Sequence, residues 1–294
     1  MRNKLNIHFL LILAVLFWGL TPSFMKLSLK EIEVFPFNVL RLFVALLTSG
    51  ILLIIWGNWK PVKRNDWISF IIIGFFGFFV FQFCFPFGVK NTSASIASLL
   101  MATLPIDVII INLISKSETV NLKTGTGISL SIIGIIVIIL GTKGGISLEG
   151  TYTRGVILLI AAEMGFALYT VKAKELILRY SLYQVMFIVI LFSFIPFLIF
   201  SANKLGSLNL LSISHMAWTG VLFTGIMGTC VGNIFWYRGI QELGSTRTSI
   251  YANLPPVFGI SASFLILKDT LSILQLLGGF IIMAGVILAN RKKN

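Results

Sequence analysis

Two acidic side chains lie inside long apolar stretches of this sequence, where a charge is costly. Glu163 is near the centre of the apolar run 155–172, and Asp107 lies towards the C-terminal end of the run 94–114. A carboxyl group there must be protonated, paired or hydrated, and in a buried cavity it can exchange a proton near neutral pH. We therefore predict both as proton-coupling candidates, with Glu163 also suited to binding a substrate amine and Asp107 within reach of water. The alternative for each is a hydrogen-bonded structural acid.

Three other residues lie near the ends of apolar runs, where a side chain can face either the membrane interface or the interior of the protein. Arg41 belongs to the run 37–56. Its guanidinium group has three open roles: it can snorkel to the interface, pair with Glu163, or bind a substrate carboxylate as a substrate-binding residue. Trp236 and Tyr237 suit the aromatic belt that membrane proteins place at the interface.

Amide and aromatic side chains supply the remaining candidates for substrate binding. Gln82 and Asn233 occupy equivalent positions of an internal repeat, and they suit either hydrogen bonds between helices or contact with a ligand. Trp18 and Tyr251 suit the aromatic wall of a cavity, and Asn253 lies two residues beyond Tyr251. We predict all five as substrate-binding candidates.

The sequence has no recognisable catalytic or cofactor motif. It lacks a phosphate-binding loop of the P-loop type, a nucleophile elbow and a His or Cys cluster with metal-ligand spacing. His8 and His215 lie at the ends of apolar runs and are assigned no chemistry. We therefore predict a protein that is not an enzyme and has no cofactor or metal. The alternatives are an intramembrane lipid-acting enzyme that uses Glu163 or Asp107, and a membrane sensor or scaffold that transports nothing.

The composition indicates an integral membrane protein. Of 294 residues, 57% are hydrophobic and 11% are charged, and the mean hydropathy is +0.97, whereas soluble domains carry about 25% charged residues. A helix of about 20 apolar residues spans a bilayer. Ten runs of this kind predict ten transmembrane helices: 7–27, 37–56, 67–87, 94–114, 123–141, 155–172, 183–201, 215–237, 247–267 and 271–290.

The formal net charge of +13 is explained by the loops between these runs. With the N-terminus in the cytoplasm, the cytoplasmic side holds fifteen Lys and Arg residues and the other side holds seven. By the positive-inside rule this predicts a protein of the cell membrane with both termini cytoplasmic. This distribution of basic residues explains the net charge without a nucleic-acid partner.

An internal repeat organises the chain. The stretch 67–141 recurs without a gap 151 residues later, and glycine and proline carry most of the match. Gly74, Gly77, Gly88, Pro105, Gly127 and Gly134 coincide with Gly225, Gly228, Gly239, Pro256, Gly278 and Gly285. We predict two halves, 1–145 and 146–294, with five spans each. Because five is odd, the second half enters the membrane inverted, which is the architecture of many secondary transporters.

The motifs within the repeat resemble the EamA-type repeat of the drug/metabolite transporter superfamily. In the second half they are the run from Leu243 to Gly259, the pair Lys268-Asp269 and the run from Leu277 to Gly285; in the first half they are Thr92 to Leu100, Leu104-Pro105, Ser117-Glu118 and Gly127 to Gly134. The resemblance implies ten helices, a cavity lined by helices 1–4 and 6–9, and export of amino acids or related metabolites, in some members coupled to protons. The family usually has Gly-Glu where this chain has Ser117-Glu118 and Lys268-Asp269.

Together these observations predict a secondary active transporter that works by alternating access. We expect it to export a small polar or zwitterionic metabolite such as an amino acid, with proton coupling as an open feature. Its expected partners are this small-molecule substrate and the lipid bilayer, and its expected state is a monomer or a weak homodimer.

Overall fold

A computed structural model describes residues 2–115, 122–141, 150–206 and 208–290. The regular structure in these ranges is helical. Its long helices are α1 (Arg2–Ser28), α2 (Val34–Trp56), α3 (Asp66–Asn91), α4 (Ala94–Ile114), α5 (Leu122–Leu140), α6 (Thr151–Arg179), α7 (Leu182–Gly206), α8 (His215–Leu243), α9 (Ser245–Leu267) and α10 (Ile273–Asn290). The predicted boundary between the halves and the pair Ser117-Glu118 lie outside the described residues.

Eight of these helices, α1 to α4 and α6 to α9, are long and apolar enough to cross a membrane by length and composition. α5 and α10 contain shorter apolar segments, Gly125–Leu140 and Ile273–Leu288. Each predicted apolar run therefore corresponds to a helix, and the prediction of an all-helical membrane protein is confirmed. The number of crossings and the side of the termini stay predictions.

Departures from regular α-helix occur at matching places in the two halves. α3 contains a π-helical segment at Ile72–Phe79, and α8 contains one at Thr224–Val231. α4 and α9 contain 3₁₀ turns at Met101–Thr103 and Ile250–Asn253. The helix resumes after the second turn with Pro255 in its first turn, where a missing N–H costs nothing. α9 is therefore interrupted just before its two prolines, Pro255 and Pro256.

α5 and α10 pack closely against each other through glycines. A Cβ atom on Gly134 would lie 2.7 Å from Gly278 O and 2.9 Å from Ile282 N, and a Cβ on Gly285 would lie 2.6 Å from Gly127 O. These distances are shorter than van der Waals contact, so the two backbones touch where side chains are absent. The helices run antiparallel, because residues later in α5 meet residues earlier in α10.

We expect Gly134→Leu to separate α5 from α10 and to lower stability by about 2 kcal/mol or more, the cost of overpacking a tight contact. The measurement is thermal unfolding of the purified protein in detergent. Gly206→Leu is the matched control, because a Cβ at Gly206 meets no atom of the described residues within 4 Å. Equal melting temperatures for the two variants would contradict the contact.

Other glycine contacts occur twice, once from the first half to the second and once from the second half to the first, at equivalent positions of the repeat. A Cβ on Gly74 of α3 would lie 2.8 Å from Phe192 Cβ of α7. A Cβ on Gly225 of α8, the counterpart of Gly74, would lie 2.7 Å from Arg41 O of α2. Arg41 and Phe192 are themselves 151 residues apart. α3 therefore packs on α7 as α8 packs on α2.

Polar contacts in the loops fix the helix ends. At one end of the bundle, Asp66 accepts hydrogen bonds from Arg179 Nη1 and Tyr180 OH, both 2.6 Å long. At the other end, Glu31 accepts from the Ser214 hydroxyl at 2.6 Å and from its backbone N–H at 2.9 Å. These two bonds lower the pKa of Glu31. These contacts thus hold the helix bundle together at both ends.

Candidate substrate cavity

Seven helices, α1 to α4, α6, α8 and α9, surround one enclosed cavity. Five predicted site residues line it: Trp18, Arg41, Gln82, Glu163 and Asn233. Its volume is about 30 Å³, room for about two water molecules. A metabolite therefore fits only after the surrounding helices move apart.

Arg41 points into the bundle. It is 2% exposed, so its guanidinium group does not snorkel. Its Nη2 donates to Gln82 Oε1 at 2.6 Å, and its Nε donates to Asn38 Oδ1 at 2.8 Å. Its Nη1 reaches Thr229 Oγ1 at only 3.5 Å. These partners are neutral, and neither ion pair found among the described residues involves Arg41. The site thus holds a buried cation suited to an anionic ligand group.

Glu163 supplies the opposite charge type on the same cavity. It lies in the middle of α6 and is 2% exposed. Its Oε1 atom is buried and has no hydrogen-bond partner among the described residues. A buried polar atom without a partner is costly, so this oxygen either carries a proton or awaits a donor from a ligand.

The two amides of the repeat, Gln82 and Asn233, both line this cavity. Gln82 accepts from Arg41, while Asn233 donates to Thr229 O at 2.8 Å and accepts from Tyr169 OH at 3.2 Å. Both amides therefore form hydrogen bonds between or within helices and also face the cavity. Gln82 orients the cation, and Asn233 forms another part of the lining.

Aromatic rings form one wall. Trp18 lines the cavity, and its Nε1 donates to Gly228 O at 2.9 Å. Trp236 lies behind Trp18 with 4.7 Å between ring centroids, and its Nε1 donates to Thr170 Oγ1 at 3.1 Å. Trp236 and Tyr237 are both fully buried. Their interpretation as an interfacial belt is wrong, because the bundle itself surrounds these rings.

Asp107 does not line the cavity. It is 5% exposed and accepts a hydrogen bond from Thr103 Oγ1 at 2.8 Å. The expectation that water reaches it is therefore not met in this conformation, because the neighbouring helices cover its carboxyl group. Asp107 is nevertheless near enough to Glu163 for the two carboxyl groups to interact electrostatically.

Tyr251 and Asn253 belong to a second, separate cavity. This vestibule has a volume of about 740 Å³ and is lined by His8, Leu243, Arg247, Ile250, Tyr251, Asn253 and Leu254. The 3₁₀ turn Ile250–Asn253 separates the two spaces, since its Ala252 lines the central cavity. The grouping of Tyr251 and Asn253 with the other candidates is therefore corrected: the break in α9 directs them outward.

Three residues that contribute to these cavities were not predicted from the sequence. Thr229 lines the central cavity one helical turn before Asn233, and the spacing of four residues places both on one face of α8. Asn38 stands in the same relation to Arg41, three residues earlier on α2. His8, which was assigned no chemistry, contacts the Tyr251 hydroxyl across the vestibule. Helical spacing from the predicted polar residues was the available signal for Thr229 and Asn38.

Comparison with known proteins identifies the family. A model of the EamA-like transporter family matches residues 5–140 and again residues 153–291. The chain belongs to the EamA-like transporter family. The resemblance inferred from the repeated motifs is thus confirmed, and this EamA-like protein is a transporter rather than an enzyme.

Relatives and a solved structure agree with this assignment. YetK of Bacillus subtilis, an uncharacterized transporter, is 28% identical over 271 residues, which cover 91% of this chain and 82% of YetK. A probable amino-acid metabolite efflux pump of Salmonella typhimurium is 26% identical over 293 residues, covering 95% and 92%. One crystal structure matches with a TM-score of 0.69 and 16% identity, covering 97% of this chain and 96% of that one. At this identity the last likeness supports the fold alone.

Proposed function

We propose that this EamA-like transporter is a secondary active transporter that exports a small zwitterionic metabolite, such as an amino acid, by alternating access. The observation that carries the proposal is that one cavity is lined both by Arg41, whose guanidinium group has no ion-pair partner among the described residues, and by Glu163, whose Oε1 has no hydrogen-bond partner among them. A zwitterion presents a carboxylate to the first and an ammonium group to the second. Trp18 and Asn233 then contact the remaining part of the substrate.

The exchanged contacts support an inverted arrangement of the halves 1–145 and 146–294. Gly134 meets Gly278 while Gly127 meets Gly285, and these pairs are each other's counterparts in the repeat. Contacts of this kind follow from a two-fold axis. Because α5 and α10 run antiparallel, that axis is perpendicular to the helices and lies in the membrane plane, as in inverted repeats.

Export and setting are part of the proposal. A relative of similar length is described as a probable amino-acid metabolite efflux pump, which supports amino-acid export here. The excess of basic residues favours cytoplasmic termini in the plasma membrane. The proposed partners are the bilayer and the small-molecule substrate, without nucleic acid, and the proposed state is a monomer or weak homodimer.

Counterflow in proteoliposomes tests the substrate class. Liposomes preloaded with one unlabelled amino acid should accumulate the same labelled amino acid above the level of protein-free liposomes. An amine without a carboxylate and a carboxylate without an amine should each compete about tenfold more weakly, since each loses one charged contact. Absence of flux for every member of an amino-acid panel would contradict the proposal and favour a sensor or scaffold.

A further inference from the structure

Lys26 closes one end of the central bundle. It lies at the C-terminal end of α1, and its Nζ donates to Val89 O at 2.8 Å, to Lys90 O at 3.2 Å and to Thr92 O. These carbonyls end α3, where helix carbonyls lack intrahelical partners and the helix dipole favours a cation. The side chain therefore ties α1 to the end of α3.

The neighbouring helices are also tightly packed at this end. The hydroxyl groups of Ser95 and Ser263 are 2.5 Å apart, which joins α4 to α9. A Cβ on Gly259 would lie 2.8 Å from Gly19 O and closer still to Ser98. These contacts hold α1, α4 and α9 together at this end of the bundle.

The opposite end of the bundle contains the equivalent pair of polar side chains and the vestibule. The counterparts of Ser95 and Ser263 in the repeat are Thr246 and Asn112, and Asn112 Nδ2 donates to Thr246 Oγ1 at 3.4 Å. The vestibule of about 740 Å³ opens at this end. In the proposed orientation this is the cytoplasmic end, so the structure corresponds to a state that is closed to the outside.

Lys26 has a counterpart that forms no equivalent hydrogen bonds among the described residues. The glycine contacts pair α1 with α6 at a spacing of 148 residues, since Gly77 meets Tyr169 where Gly228 meets Thr21. At that spacing Lys26 corresponds to Lys174, which is exposed. The carbonyls that Lys26 binds correspond to those of Ile240, Gln241 and Leu243 at the C-terminal end of α8. The C-terminal end of α8 is therefore the repeat counterpart of the site that Lys26 binds, and Lys174 lies on the helix that corresponds to α1.

We propose that Lys26 and Lys174 are alternating gate residues. Lys26 holds the end of α3 in the state closed to the outside, and Lys174 holds the end of α8 in the state closed to the cytoplasm. Each state breaks one set of charge-assisted hydrogen bonds and forms the equivalent set, so the two states stay close in free energy. This inference rests on the proposed alternating access.

Thiol labelling tests the exchange without relying on transport. Cys84 and Cys230 are first replaced by Ala, and single cysteines are introduced as Ala102→Cys or Asn253→Cys, which are equivalent positions in the two halves. The purified full chain in detergent is treated with a water-soluble maleimide. We expect the Asn253→Cys thiol to react faster than the Ala102→Cys thiol, because Asn253 lines the vestibule and Ala102 is buried.

Lys26→Gln should raise the labelling rate at Ala102→Cys about tenfold and lower it at Asn253→Cys, because only the state closed to the outside loses bonds to a charged donor. Lys174→Gln added to Lys26→Gln should reverse the change, because both states then lack their lysine. Lys30→Gln is the matched control, since Lys30 is exposed at the same end and its replacement removes the same charge.

The outcomes separate the two proposals. Equal effects of Lys26→Gln and Lys30→Gln, or no reversal by Lys174→Gln, would overturn the gate exchange. If neither reporter responds to any variant or to saturating substrate, alternating access itself is wrong. Should Lys26→Gln not fold, as judged by size-exclusion chromatography, Ser263→Ala loosens the same end, and Lys174→Gln must again reverse its effect.

Discussion

Glu163→Gln should abolish the response of transport to a pH gradient. We expect pH-driven uptake into proteoliposomes to fall about 100-fold, the size of effect seen when a positioned proton-transfer group is removed. Exchange of labelled for unlabelled substrate, which needs no net proton movement, should persist with a KM about tenfold higher, because the substrate ammonium loses its charged partner. The pH dependence of the remaining exchange should become flat, because Gln cannot titrate.

The reason lies in the surroundings of this carboxyl group. Glu163 is buried on the central cavity, and its Oε1 has no partner among the described residues. A proton on the carboxyl group removes its charge, whereas an anionic Glu163 needs a compensating cation such as a substrate ammonium. Proton loading and substrate binding therefore compete at one atom. Gln resembles the protonated form in shape and in lack of charge, so it locks the site in one of these states.

Two further variants make the result specific. Glu175→Gln removes an exposed carboxyl group from the same helix and should leave pH-driven uptake unchanged. Asp107→Asn removes another buried carboxyl group of the apolar runs, one that lies near Glu163 without lining the cavity. We expect it to shift the pH dependence while retaining the response. Unchanged pH-driven uptake by the Glu163→Gln variant would contradict a proton-coupling role for Glu163.

Arg41→Gln should raise the KM for a zwitterionic substrate about 100-fold, the loss expected when one partner of a buried charged contact is removed. The effect should be small for an amine that lacks a carboxylate, because such a ligand has no group for the guanidinium. KM values for the amino acid and for its decarboxylated amine, measured side by side in proteoliposomes, provide the test.

Arg247→Gln provides the charge-matched control. Arg247 lines the vestibule and is exposed, so its removal changes the same net charge without altering the central cavity. We expect its KM to stay within about threefold of the parent, as surface charges contribute little. Equal losses for the amino acid and the amine in Arg41→Gln would show that Arg41 supports the fold rather than the substrate carboxylate.

Much of the central cavity was predictable because its polar residues are rare in apolar runs. Arg41, Gln82, Glu163 and Asn233 each interrupt a long hydrophobic stretch, and hydrocarbon does not tolerate such groups on a lipid-facing surface. The bundle interior was therefore the expected place for them. The helical architecture was predictable for the same reason, since ten apolar runs of suitable length have few alternatives in a bilayer.

What the sequence did not predict depends on the direction of side chains. Tyr251 and Asn253 follow the same apolar pattern as the cavity residues, but the 3₁₀ turn rotates them into the vestibule. Trp236 and Tyr237 were placed at the interface because depth was estimated from distance to a helix end. Lys26 was counted only as a charge that sets orientation. Its binding to the end of α3 depends on helix packing that no local pattern encodes.

The π-helical segments give the number of residues in α3 and α8 a role of its own. Each lies upstream of a cavity amide, Gln82 or Asn233. One residue of regular helix corresponds to a rotation of about 100°. Deleting one residue from Ile72–Phe79 would change the direction of Gln82 relative to Arg41, which it contacts. The length of each π-helical segment, and not only its residue types, therefore positions the amide that follows it.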